Sequence, residues 1–216
     1  MKKQPNIIVV EGPIGAGKTT LAKTLAEKLD ARLTLEDAEG NPFLPKFYAD
    51  MRKWAFQTQI FFLVSRYQQQ LELRERDLFH PVTVCDYMFQ KDLIFARLTL
   101  SEEEFALYGK LQPLLADRVP KPDLVIWLQA DVEVLMSRIR ARAARFEAAI
   151  TTEYIERLVR GYDEFFHRYT DAPLLIVNAN EVDYRQGDVQ VDELIEKIKT
   201  MESAREYYTP SRRGLA

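Results

Sequence analysis

The densest chemistry in the chain lies in Gly12-Pro13-Ile14-Gly15-Ala16-Gly17-Lys18-Thr19-Thr20, a G-x-x-x-x-G-K-[ST] pattern. Glycines at these spacings let successive backbone N–H groups curl around an anion, and a helix that starts at the last glycine aims its positive end at the same point. Lys18 then reaches the β- and γ-phosphates, and the Thr19 hydroxyl is placed to ligate Mg²⁺. The pattern predicts a nucleoside triphosphate site. Four further groups could work beside it. Glu36 could take the proton of a hydroxyl that attacks the γ-phosphoryl group, although Asp37 and Glu39 also fit a plain acidic surface. Asp86 could hold Mg²⁺ directly or through water, or simply cap a strand. Gln59 and Arg66 lie seven residues apart, hence on one helix face, with Phe62 and Leu63 between them. An amide offers a donor and an acceptor side by side and can read a nucleobase edge. An internally satisfied Gln59 and an Arg66 paired with an acid such as Asp86 fit equally well. Finally, the run from Ser137 to Arg145 is basic and carries Arg138 and Arg142. It could fold over a triphosphate as a lid and neutralise charge on the transferring group, or be a solvated helix face.

These groups need elements to position them. Short apolar runs at 6–10, 33–35, 82–85, 124–128 and 174–177 read as strands, separated by helical sequence at 41–76 (broken near its middle), 90–115, 132–144, 152–169 and 191–201. A helix also follows Lys18. From Trp54 to Leu73 the pattern is apolar nearly all round, which predicts a helix buried in the middle of the molecule. Strands alternating with helices imply an α/β fold, here a five-stranded parallel sheet covered on both faces. Ligands in such sheets bind at the carboxyl ends of the strands, where Gly12, Glu36 and Asp86 stand.

With 216 residues, 47% of them hydrophobic and 29% charged, the chain reads as one globular domain over 1–216. A net charge of only -3 points away from a nucleic-acid polymer as partner. The single Cys85 excludes an internal disulfide. The apolar run behind Met1–Asn6 is too short for a signal peptide or a membrane span. A cytoplasmic protein that does not engage membranes is therefore expected.

The sequence resembles the deoxynucleoside kinase family, and within it the bacterial deoxyadenosine/deoxyguanosine kinase branch. The resemblance runs from about Ile7 to Ile198. It rests on the phosphate loop and, more specifically, on Glu36 followed by Asn41-Pro42-Phe43-Leu44, on Phe47-Tyr48, on Trp54 to Arg66, on Ile94-Phe95-Ala96, and on the arginine segment with Glu147 before Glu153-Tyr154-Ile155. It implies a P-loop kinase fold with an arginine-bearing lid. It also implies ATP with Mg²⁺, a 5′-phosphorylated deoxynucleoside product and a homodimer. By position, Glu36 resembles the family's general base, and Tyr48 and Glu147 resemble its 3′-hydroxyl ligands. Gln59 matches the residue that reads the base, with Arg66 near it, and Phe95 the aromatic that stacks on it. Arg138 and Arg142 match lid arginines. Two positions depart from the pattern: Cys85-Asp86-Tyr87 stands where relatives often carry a Glu-Arg pair, and Lys91 stands where many carry an acid.

A nucleoside monophosphate kinase is the nearest alternative, but its anionic acceptor calls for arginines where Glu36 stands. A GTP-dependent switch has fragments of its motifs in Asp37-Ala38-Glu39-Gly40 and Asn180-Glu181-Val182-Asp183. The first comes too soon after the phosphate loop. Lys91, purely a donor, would favour guanine O6 or N7, which together with the resemblance argues for a purine.

Overall fold

The computed structural model describes residues 5–73, 80–182 and 188–210. Its strands are β1 (Ile7–Glu11), β2 (Arg32–Thr34), β3 (Thr83–Cys85), β4 (Leu124–Gln129), β5 (Leu174–Asn178) and β6 (Arg205–Tyr208). All pair in parallel, in the order β2-β3-β1-β4-β5-β6. The helices are α1 (Lys18–Leu29), α2 (Leu44–Ala49), α3 (Met51–Glu72), α4 (Asp92–Thr99), α5 (Glu102–Ala116), α6 (Val132–Arg142), α7 (Thr152–His167) and α8 (Asp188–Thr200).

β1, β4 and β5 are buried along almost their whole length, which requires cover on both faces. α1 packs on β1 and β3 and against α8. α7 covers the face that shows Glu11 and Trp127: Phe166 stacks on Trp127 at 4.7 Å between centroids, and the Tyr162 hydroxyl donates to Glu11 at 3.0 Å. The α/β architecture is as expected, with three corrections.

The sheet has six strands rather than five. β6 has no apolar run to announce it, because Arg205-Glu206-Tyr207-Tyr208 sits at the sheet edge and is only partly buried. The expected helix over 90–115 is a short 3₁₀ turn (Phe89–Lys91) followed by two helices. Leu100 is extended, and Ser101 caps the second helix by accepting from the Glu104 backbone while the Glu104 carboxylate accepts from the Ser101 backbone. This reciprocal cap satisfies two backbone N–H groups and so starts a new helix at this point. Third, α3 is buried on one stripe only, Ala55, Thr58, Gln59, Phe62, Leu63, Arg66 and Gln70, at helical spacing. Val64 on another side is 45% exposed.

Candidate active site

The loop after β1 turns at Gly15, whose φ is +87°. A Cβ there would lie 2.8 Å from the Leu135 carbonyl oxygen, so only glycine fits both the left-handed backbone and the close approach. Gly17, at φ +99°, then caps α1. Glu11 anchors the loop from behind. Fully buried, its carboxylate accepts from the Gly12 N–H (2.9 Å), the Met88 N–H (3.0 Å) and the Tyr162 hydroxyl (3.0 Å). It thus ties the phosphate loop to the segment after β3. Sequence reasoning missed this role, although an acid ending a buried apolar strand is a readable signal.

Two cavities flank the loop. One, of about 800 Å³, runs from Lys18 and Thr19 past Glu36 and Asp86 to Gln59 and Phe95, with Tyr48 and Glu147 on its wall. The other, of about 470 Å³, is lined by Gly15 to Thr20, Arg138 and Arg142. Gly15, Lys18, Thr19 and Arg142 line both.

Lys18 donates from Nζ to the carbonyls of Gly12 (2.9 Å) and Pro13 (3.1 Å). Burial, and then the positive charge of Lys91, pushes its pKa down to about 8. The Thr19 hydroxyl donates to Asp86 Oδ2 at 2.6 Å, and Asp86 Oδ1 accepts from the Glu36 N–H at 2.7 Å. One carboxylate thereby joins the phosphate loop to the residue after β2. A hydroxyl and a carboxylate side by side at this loop are the hard oxygen donors that suit Mg²⁺, which takes one or two carboxylates and completes its shell from phosphates and water.

Glu36 is held by two cations. Arg66 donates to Oε1 through Nε (2.7 Å) and Nη2, and Lys91 donates to Oε2 at 2.7 Å. Burial alone would raise the Glu36 pKa, but the Arg66 and Lys91 charges overcome it and hold the carboxyl well below the ordinary carboxylate range. Arg66 also pairs with Asp92 through Nη1, so its acids are Glu36 and Asp92 and not Asp86. Lys91 is likewise engaged with Glu36.

Gln59 is 2% exposed. Its Nε2 lies 3.5 Å from the Thr99 hydroxyl, while its Oε1 and the Thr58 hydroxyl oxygen have no partner among the described residues. A buried polar atom left unpaired costs about 1–3 kcal/mol, and both residues line the cavity, where a ligand could supply the missing partners. Phe95 lines the same space and meets Tyr162 edge-on at 6.3 Å. Burial, then Tyr154 and Glu147, pushes the Tyr48 phenol well above its ordinary pKa, which keeps it a proton donor.

The arginine segment divides. Arg142 donates through Nε to Glu147 Oε2 at 2.9 Å and pairs with it through Nη2. Arg138 was expected as an arm over the phosphates. Its Nη2 donates instead to the carbonyls of Ala179 and Val182, both at 2.8 Å, and Nη1 reaches the Ala16 carbonyl at 3.5 Å. It ties the phosphate loop to the segment after β5. The side chain of Arg145 lies outside the described residues, as does Asp183 of the second switch-like fragment. The first fragment is a local turn, with Asp37 Oδ1 accepting from the Gly40 N–H at 2.9 Å.

Comparison with known proteins identifies the family. The family profile described as Deoxynucleoside kinase matches residues 8–202. The deoxyguanosine kinase of Bacillus subtilis is 36% identical over 200 residues, spanning 90% of this chain and 96% of that protein. The deoxyadenosine/deoxycytidine kinase of the same organism is 29% identical over 204 residues, spanning 91% and 93%. Among solved structures, a deoxyadenosine kinase from M. mycoides with the products dCMP and dCDP bound superposes with a TM-score of 0.80 at 26% identity, covering 90% of this chain and 100% of that one.

Proposed function

The chain belongs to the deoxynucleoside kinase family and phosphorylates a deoxynucleoside using ATP; we propose that the acceptor is a purine deoxynucleoside attacked through its 5′-hydroxyl. The observation that carries this reading is the pair of cavities sharing Gly15, Lys18, Thr19 and Arg142. A donor triphosphate in one and an acceptor in the other meet where a lysine, a hydroxyl and an arginine are common to both.

In this reading the base lies against Phe95 with its edge on Gln59, and the sugar lies between Tyr48 and Glu147. The 5′-hydroxyl donates to Glu36 and passes its proton there as its oxygen bonds the γ-phosphorus and the bond from that phosphorus to the β–γ bridging oxygen breaks, so that ADP leaves. Lys18 leaves its two carbonyls for the β- and γ-phosphate oxygens, and Arg142 leaves Glu147 as the 3′-hydroxyl arrives. Thr19 and Asp86 would hold Mg²⁺, which when bound neutralises phosphate charge. No helix among the described residues is long and apolar enough to cross a membrane, and a cytoplasmic salvage enzyme is the natural setting. The test is a panel of deoxynucleosides with ATP and Mg²⁺, scored for phosphate transfer. Deoxyadenosine or deoxyguanosine should be phosphorylated best. A clear preference for thymidine or deoxycytidine would remove the purine assignment and leave the kinase standing.

A further inference from the structure

The Glu36 carboxylate has about four lone-pair sites. Arg66 occupies both sites of Oε1, through Nε and Nη2, whereas Lys91 occupies one site of Oε2. An acceptor hydroxyl that donates to Glu36 must therefore use Oε2, the oxygen gripped by Lys91. Lys91 is 3% exposed, and a buried ammonium holds its place only against a counter-charge. The Lys91 backbone is registered to the phosphate loop as well. Its N–H donates to the Met88 carbonyl at 3.3 Å, and the Met88 N–H shares the Glu11 carboxylate with the Gly12 N–H. The Lys91 ammonium also lies 5.8 Å from the Tyr87 ring, so this cation reaches Glu36 from the 3₁₀ turn, past the aromatic that follows Asp86.

We infer that Lys91 is a positioning residue for phosphoryl transfer, supplying the cation at the 5′ end of the acceptor and orienting Glu36 Oε2 toward the attacking hydroxyl. The inference rests on the kinase reading above. Arg66 alone fixes one oxygen and leaves the carboxylate free to pivot about it. Lys91 fixes the second, and so sets the direction of the remaining lone pair.

Steady-state kinetics on the full chain with ATP, Mg²⁺ and the best purine deoxynucleoside test this, using wild type, Lys91→Met, Lys91→Arg, Glu36→Gln and the Glu36→Gln/Lys91→Met double variant. Lys91→Met should lower kcat by about 10²-fold, as misplacement of a reacting group does, with little change in nucleoside KM. Lys91→Arg should recover most of the loss. In the Glu36→Gln background, removing Lys91 should add almost nothing, because residues acting as one unit are not additive. Thermal midpoints check folding, and Lys91→Gln takes the place of Lys91→Met should the latter fail to fold. Unchanged kcat in Lys91→Met, or losses that multiply independently in the double variant, would overturn the inference while leaving the kinase intact. A wild type that phosphorylates no deoxynucleoside would overturn the kinase reading, and this inference with it.

Discussion

Two cations on one carboxylate decide what kind of base Glu36 can be. A carboxyl held well below its ordinary range by Arg66 and Lys91 takes a proton only late, once the attacking oxygen has lost most of its hold on it. That suits a loose phosphoryl-transfer transition state, in which little charge has developed on the nucleophile before the P–O bond forms. In the proposed reaction Glu36 would therefore act by aiming the hydroxyl as much as by basicity. Replacing it by Gln should lower kcat by about 10²–10⁴ with little effect on nucleoside binding; a loss confined to KM in steady-state kinetics would make it a binding residue instead. Lys18 belongs to the same scale. Its ammonium rests on two adjacent carbonyls of one loop, so Lys18→Ala should abolish turnover while circular dichroism and the thermal midpoint stay near wild type. Near-normal activity in that variant would take the phosphate loop out of the mechanism.

At the scale of elements, the turn after α6 and the last strand show how local pieces carry the cavity wall and the sheet. Arg142 and Glu147 neutralise one another across the turn that follows α6. Glu147→Ala should raise nucleoside KM by about 10- to 100-fold, the equivalent of a hydrogen bond to a charged group, with ATP KM nearly unchanged. β6 is held by polar contacts. Glu206 accepts from the Glu202 and Ser203 backbone N–H groups at 2.6 and 2.8 Å and from Lys197 at 2.5 Å, and Arg205 donates to the carbonyls of Phe166, in the last turn of α7, and of Tyr169 just beyond it. The Lys197 bond and then the backbone bonds lower the Glu206 pKa from 4.5 to about 2. Its contribution is therefore complete above 4.5 and is lost as pH falls toward about 2. The thermal midpoint of Glu206→Gln should lie below wild type at neutral pH, with the gap closing over that acid window; a gap independent of pH would refute the linkage. These contacts also explain what could be read from sequence. β1, β4 and β5 are legible because their runs are apolar on both faces, and Glu36 and Asp86 because they follow short apolar strand runs. β6 was not legible, since its stabilisation lies in pairs that span α8 and α7. The partners of Arg66 and Lys91 were not legible either. They depend on where α3 and the turn after β3 come together, and no periodicity encodes that.

At the scale of the whole molecule, the acceptor cavity is walled by helices that extend beyond the sheet. α3 supplies Gln59 and Arg66, α4 supplies Phe95, and α5 packs against both. The outer side of α5 is apolar: Leu107, Leu111 and Leu114 recur at helical spacing and are 49%, 37% and 71% exposed, with Val64 of α3 at 45%. Three leucines on one face of one helix form a stripe that can meet its own copy about a two-fold axis. We expect a homodimer built through these helix faces, bracing α3 and α4 from outside so that the Gln59 and Phe95 walls keep their spacing. Light scattering at micromolar protein should give twice the 25.2 kDa chain mass. Leu107→Glu/Leu114→Glu should give the monomer, with a thermal midpoint that no longer rises with protein concentration. A wild type of monomeric mass at that concentration would remove the dimer, and the apolar stripe on α5 would then need another explanation.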